Sequence, residues 1–401
     1  MSTPELRFKN AQGHYFLDWS ERTLGQVCKI NQGLQIPIAE RFSESGTNRY
    51  FYITNEFLRK DSDKRYFIEN PPASVLCNKD DILMTRTGNT GKVVTDVSGA
   101  FHNNFFKIKY ERDLLNKTFL CEFLSLDKTQ SLILKLAGTS TIPDLNHGDF
   151  YRIKIHLPEL EEQNKIAKLL TAVVEKITLL TQKYELLAQY KKGVMQQLFS
   201  QELRFKDDDG RDFPEWEDKV LGDITEMNSG GTPKSTIPDF YDGGIPWVSI
   251  ADMTKQGKYV KTTERTISEL GLKSSSARLY PVNTVLYAMY ASIGECSIAS
   301  LEVCSSQAIL GIRPSKILRY DFLYQYLVSL KEVIKLQGQQ GTQSNLNQGM
   351  VKDFKIELPT LKEQAKIAKF LTVIDDKLSH TQNQLTAAKQ YKQGLLQQMF
   401  V

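Results

Sequence analysis

The sequence predicts two tandem α/β (α+β) globular domains, separated by two long helices that form an antiparallel coiled coil with a pseudo-twofold internal repeat. Three observations predict it. Residues 157–199 recur at 358–400 without a gap. Apolar residues in both copies alternate at spacings of four and three. The stretch before each copy reads as short strands followed by a helix. A repeat of this length fixes architecture before any single residue is considered.

The first copy opens Leu157-Pro158-Glu159-Leu160-Glu161-Glu162-Gln163, and the second opens Leu358-Pro359-Thr360-Leu361-Lys362-Glu363-Gln364. The first seam runs through Ile166, Leu170, Val173, Ile177, Leu180, Tyr184, Leu187, Val194 and Leu198. The second includes Ile367, Leu371, Ile374, Leu378, Leu385, Ala388, Leu395 and Met399. This is the 3.5-residue period of a coiled coil. Lys191 interrupts the first seam, and Lys392 interrupts the second at the matching position. Pro158 and Pro359 suit the first helical turn, where a missing N–H costs nothing. Each helix should be a rod of about 60 Å. Antiparallel pairing is the simplest connection, because a parallel pair needs a long return. Asp375-Asp376-Lys377 lies within the second helix and is expected to face solvent.

The frame extends beyond the helices. Leu6-Arg7-Phe8-Lys9 matches Leu203-Arg204-Phe205-Lys206, Trp19 matches Trp216, and Asn31 matches Asn228. Leu145-Asn146 matches Leu346-Asn347. The junction Phe199 to Phe205 would be remade if Phe400-Val401 were joined to Met1–Phe8, so the two ends of the chain should lie close together. The expected division is 1–156, first domain; 157–200, first spacer helix; 201–357, second domain; 358–401, second spacer helix. Strands are expected at 81–84, 92–97 and 105–110, with counterparts at 284–289, 296–299 and 308–313. Helices should follow at about 118–136 and 321–337, stopped by Gly138 and Gly338.

Bulk composition excludes several classes. With 401 residues, 41% hydrophobic and 24% charged, the chain can build two ordinary cores. No apolar run approaches a membrane span of about 18 residues, and Met1–Lys9 lacks a signal core. Cys28, Cys77, Cys121, Cys296 and Cys304 have no CxxC spacing and read as reduced thiols of a cytoplasmic protein. The net charge of +4 permits a nucleic-acid partner without demanding one.

Candidate catalytic motifs fail on chemistry. Asn70-Pro71-Pro72-Ala73 resembles an adenine methyltransferase motif, but Ala73 cannot stack on a flipped base. Gly230-Gly231-Thr232-Pro233-Lys234-Ser235 lacks phosphate-loop spacing, and Pro233 removes a donor. The five histidines are scattered, with no metal-ligand spacing. No nucleophile–base pair stands at a recognisable spacing.

Surface suited to DNA remains. The loop Thr85–Lys92 offers Arg86, Thr87, Asn89 and Lys92. Arginine can read guanine edges and asparagine adenine edges, while threonine, lysine and glycine N–H groups suit phosphates. The matching loop of the second half, Tyr287–Gly294, offers Tyr290 and Ser292. Further candidates are Asn31, Gln32, Lys64, Arg65, Asn103 and Asn104 in the first half. In the second they are Ser229, Thr232, Lys234, Ser235, Gln307, Gln340, Gln343 and Asn345.

The repeated LPxLxEQxKIAKxLT openings, the QYKxGxxQQxF ends at Gln189–Phe199 and Gln390–Phe400, and the LRFK…W…LG start of each half together resemble the specificity subunit of a type I restriction–modification enzyme. The resemblance covers essentially the whole chain. It implies a non-catalytic DNA-recognition subunit whose two domains each read one half of a bipartite double-stranded DNA site, with the helices setting the gap. It further implies two methyltransferase subunits as partners for adenine methylation, and motor–nuclease subunits for cleavage. S-adenosylmethionine, Mg²⁺ and ATP would belong to those partners, with no cofactor or metal on this chain. A coiled-coil adaptor without a DNA role and a stand-alone DNA-modifying enzyme are the alternatives.

Overall fold

The computed structural model describes residues 4–59, 62–138, 141–339 and 346–400. The chain divides into two compact units. The first comprises residues up to Thr181 together with those from Gln384 onward, and the second runs from Gln182 to Asn383.

In the first unit, Cys28–Gln32, Phe105–Tyr110, Ile82–Thr85 and Val93–Val94 form an antiparallel sheet in that order. The expected strand at 92–97 shrinks to two residues. A second sheet orders Phe67–Glu69, Arg49–Ile53, Gly99–Phe101 and Leu76–Cys77, with a parallel pair between Arg49–Ile53 and Gly99–Phe101. This sheet lies outside the expected strands, because its own strands are short and lack alternation. Ser20–Thr23 pairs with Lys154–Leu157 at the unit's base.

The helix expected at 118–136 is two helices, Lys117–Ser125 and Asp127–Leu136. Leu126 adopts extended backbone (φ −60°, ψ 139°) and buries its side chain in the core, so the break gains apolar contact. Asn116 caps the first of the pair by accepting from the Phe119 amide, a standard use of asparagine at a helix start.

The second unit repeats this plan. Thr225–Ser229, Ile309–Pro314, Val285–Ala288, Cys296–Ala299 and Tyr259–Val260 form a five-stranded sheet, and Arg265–Ile267, Tyr241–Val248 and Cys304–Ser305 form a smaller one. Here the helix Tyr320–Gln339 runs without a break.

The long helices are Leu160–Phe199 and Leu361–Met399. In the first unit Ile166, Leu170 and Val173, near the start of one, share a core with Leu395 and Met399, at the end of the other. In the second unit Val194 and Leu198 share a core with Ile367, Leu371 and Ile374. Start meets end in both, so the pairing is antiparallel. Ile177 and Leu378 pack on the edges of these cores. Each seam also buries against its own sheets and helices, so the heptad residues serve a globular core as well as a helix pair.

Described residues near the two ends of the chain meet, in line with the expectation. The Leu6 amide donates to the Gln398 carbonyl at 3.0 Å, and the Leu203 amide donates to the Gln197 carbonyl at 3.0 Å. One bond joins the two ends and the other joins the two halves, yet they use matching residues.

Gly33 and Gly230 occupy matching positions beside Gln32 and Ser229. A Cβ on Gly33 would stand 2.1 Å from the Phe101 carbonyl oxygen, and one on Gly230 would stand 2.3 Å from that of Ser305. Backbone approaches backbone there, so no larger residue fits.

Candidate nucleic-acid interface

In the first unit the hairpin after Ile82–Thr85 turns through Gly88, Asn89 and Gly91, all at positive φ, which glycine and asparagine tolerate. The buried Thr85 hydroxyl accepts from the Lys92 amide at 2.9 Å. On one flank, the Arg86 amide donates to the Asn104 carbonyl at 2.7 Å and the Asn55 amide group donates to the Thr87 carbonyl at 2.9 Å. On the other, the Thr90 hydroxyl donates to the Pro143 carbonyl at 2.7 Å, and the Leu145 amide donates to the Arg86 carbonyl at 2.9 Å.

Arg86 is engaged rather than free. Its Nη2 lies 2.6 Å from Asp144 Oδ2, and its guanidinium sits 5.5 Å from the Phe106 ring centre. Thr87 Oγ1 donates to the other Asp144 oxygen. Arg86 Nε is buried without a partner. Asn89 and Lys92 remain exposed. Asp144 and Asn55 were not anticipated. The one available signal for Asp144 was its place directly before the repeated Leu145-Asn146.

Other candidates gather beside this hairpin. Asn31 and Gln32 end the strand that pairs with Phe105–Tyr110. Gln32 Nε2 donates to the Asn103 carbonyl at 3.2 Å, and Asn103 Nδ2 donates to Gln35 at 3.1 Å. Asn103 Oδ1 is buried and unpartnered. The Asn104 amide donates to His102 Nδ1 at 3.1 Å. Burial, and then the nearby Arg41 charge, hold the His102 pKa below its ordinary value. Lys64 and Arg65 are exposed on a separate stretch, where Arg65 lies over the Phe57 ring.

The second unit keeps this frame and changes its side chains. The Gly294 amide donates to the Ala288 carbonyl at 3.1 Å, as that of Gly91 does to Thr85 at 2.8 Å. The Leu346 amide donates to the Met289 carbonyl at 3.0 Å, so Met289 stands where Arg86 stands in the first unit. Met289 is buried, Tyr290 is exposed and Ser292 is half-buried. Glu295 replaces Lys92 and pairs with Lys331 at 2.5 Å. Nearby, Ser229 is half-buried beside Asn228, whose Oδ1 accepts from Arg278 at 3.0 Å. Thr232, Lys234, Ser235 and Gln307 are exposed. Gln340, Gln343 and Asn345 lie outside the described residues.

One expectation holds only in part. Asp376 and Lys377 are exposed, but the Asp375 side chain is only 14% exposed. It lies 2.6 Å from Lys191 and 3.3 Å from Lys258, and accepts from Gln325 Nε2 at 2.7 Å. The interruption at Lys191 is the reason, since its ammonium needs a carboxylate within the packed region. In the first unit the matching Lys392 pairs instead with Glu122 at 2.9 Å.

Among the described residues, no group of three or more His, Cys, Asp or Glu side chains could hold a metal ion, and no helix is long and apolar enough to cross a membrane. The five cysteines are unpaired.

The sequence matches the family model of the type I restriction modification DNA specificity domain twice, over residues 17–189 and 214–389. It is 27% identical over 377 residues to the type I restriction enzyme MjaVIII specificity subunit of Methanocaldococcus jannaschii, covering 90% of this chain and 86% of that protein. It is 31% identical over 191 residues to the MjaIX specificity subunit of the same organism, covering 46% of this chain and 44% of that protein. The type I restriction–modification S subunit from M. genitalium aligns over 100% of this chain and 99% of its own, with a TM-score of 0.67 at 17% identity. That likeness shows a shared fold. The paired matches fall on the two repeated halves and span most of the sequence: the chain belongs to the type I restriction–modification DNA specificity family.

Proposed function

We propose that this chain is the non-catalytic specificity subunit of a type I restriction–modification complex, with each unit reading one half of a bipartite duplex DNA site. One observation carries the reading. The two units share the main-chain hydrogen bonds of the hairpin, yet the hairpin side chains differ in charge and shape: Arg86 against Met289, and Lys92 against Glu295. A common frame with rewritten tips suits two readers of different sequences, because phosphate contacts position and base contacts specify.

The long helices act as the spacer that sets the unread gap, keeping the half-sites about one helical turn apart on the duplex. Methyltransferase subunits dock on the helices and adjoining domains for adenine methylation, and motor–nuclease subunits complete the cleaving form. Leu179, Leu186 and Tyr190 on the first helix, and Val373 and Tyr391 on the second, are exposed apolar groups of the kind that partner helices cover. S-adenosylmethionine, Mg²⁺ and ATP serve those partners. The cytoplasm, where the DNA and reduced thiols are found, is the expected location.

The test is to lengthen or shorten both helices together by whole heptads in the assembled complex and to map methylated adenines. The gap should change while both half-sites stay the same. Altered half-sites with an unchanged gap would overturn the spacer role, and absence of salt-dependent DNA binding with partners present would favour a simple adaptor.

A further inference from the structure

The hairpin of the first unit presents an arginine and a carboxylate as one object. Arg86 Nη2 and Thr87 Oγ1 each bond a different oxygen of Asp144. The Asp144 side chain is nevertheless 47% exposed, whereas that of Arg86 is 16% exposed. Four further bonds fix the geometry: Thr90 to Pro143, Leu145 to Arg86, Asn55 to Thr87, and Arg86 to Asn104. The outward group of the pair is therefore the acid, and the base lies behind it against the Phe106 ring.

A bare carboxylate is repelled by a polyanion, so an acid at a DNA-facing tip needs its charge offset. Arg86 supplies that offset at 2.6 Å. Each carboxylate oxygen has two lone-pair directions, and one internal bond on each leaves both oxygens able to accept another. A carboxylate accepts from the exocyclic amino group of cytosine in the major groove. Adenine carries the same kind of donor at N6.

We propose that Asp144 is the base-reading residue of this hairpin, accepting from the exocyclic amino group of one cytosine or adenine in the first unit's half-site, with Arg86 as its positioning and neutralising residue. The assignment rests on the reading of the chain as a bipartite DNA recogniser, and it deepens that reading by naming a contact. It also separates the units: Met289 cannot play the part of Arg86, so the second hairpin reads its half-site by other means.

The experiment uses the complex with its methyltransferase subunits and a duplex carrying the native bipartite site. In the wild type, removing exocyclic amino groups one base at a time should reveal a position in the first unit's half-site where binding falls about tenfold. With Asp144→Ala, discrimination at that position alone should vanish. The freed Arg86 should then reach phosphate, steepening the log–log salt dependence by about one. Asp144→Asn, which retains an acceptor, should keep part of the discrimination. Equal weakening at every base, loss at both half-sites, or a wild type insensitive to amino-group removal in that half-site would overturn the assignment. The last arm does not depend on how the variants fold. Complete indifference of the wild type to both half-sites would instead remove the bipartite reading itself.

Discussion

Arg7 closes a two-pronged ion pair on Glu162, with Nε at 3.2 Å and Nη2 at 2.9 Å, and the Glu162 side chain has no solvent exposure. The same carboxylate accepts from Trp19 Nε1 at 3.2 Å and from the Phe8 amide at 3.2 Å. The second unit repeats the arrangement, with Glu363 accepting from Arg204 at 3.2 and 3.0 Å and from Trp216 at 3.1 Å. The repeated Leu-Arg-Phe-Lys and Trp residues are thus the far ends of one buried network that anchors each domain to the start of a long helix.

Glu162→Ala should destabilise the first unit by about 3–5 kcal/mol, because it leaves the Arg7 guanidinium and the Trp19 N–H without their buried partner. Glu363→Ala should do the same to the second unit. Urea unfolding followed by hydrogen exchange in each unit checks the assignment. Loss of protection should concentrate in the unit that carries the substitution.

Asp375 gives a related prediction with a different partner set. Asp375→Ala leaves Lys191 and Lys258 facing each other without their shared carboxylate. Burial already lowers the Lys258 pKa despite the pull of Asp375. The variant should lose several kcal/mol in the second unit, and adding Lys258→Met should recover part of that loss. A double-mutant cycle in urea measures the recovery; strict additivity would show that the two residues act separately.

The repeats were legible in the sequence because they encode contacts that need fixed residue types. Gln163 donates to the Leu114 and Pro158 carbonyls, and Gln364 donates to those of Ile317 and Pro359. Asn146 and Asn347 each cap a short helix, which explains the Leu-Asn pairs. The strands of the small sheets were not legible, since pieces such as Leu76–Cys77 carry no period. Nor was the partner of Arg86. Asp144 is 58 residues away, in a loop with no pattern of its own, and only the folded hairpin brings it alongside. Asp375 was misread because heptad spacing describes a helix pair and is blind to Lys258 arriving from the neighbouring sheet.

The cysteines should be inert in the folded chain. Burial pushes the thiol of Cys77 up to about 11 and those of Cys28, Cys121 and Cys304 up to about 12. Burial raises Cys296 as well. The thiolate is the reactive form, so alkylation at pH 8 should be slow without denaturant and rapid with it. The folded state also holds these protons more tightly than the unfolded chain, whose thiols titrate near 9. Their contribution should therefore be intact below about pH 9 and fall as pH rises toward 12. Replacing the five cysteines with serine or alanine should flatten that part of the urea midpoint against pH, and an unchanged slope would assign it to other groups.

Gly193 and Gly394 recur at matching positions inside the long helices, where glycine costs roughly 0.5–1 kcal/mol relative to alanine. Nothing lies within 4 Å of where a Cβ would stand at either, so the fold of this chain does not explain them. Close approach of a docked partner helix would, since small residues let backbones come together. Gly193→Ala and Gly394→Ala should each stabilise the isolated chain by up to about 1 kcal/mol. On the proposed function, the same substitutions should weaken assembly with methyltransferase subunits, raising the dissociation constant severalfold. Thermal melting of the chain and titration with partner measure the two effects separately. Stabilisation with unchanged assembly would place the partner elsewhere on the helices, away from both glycines.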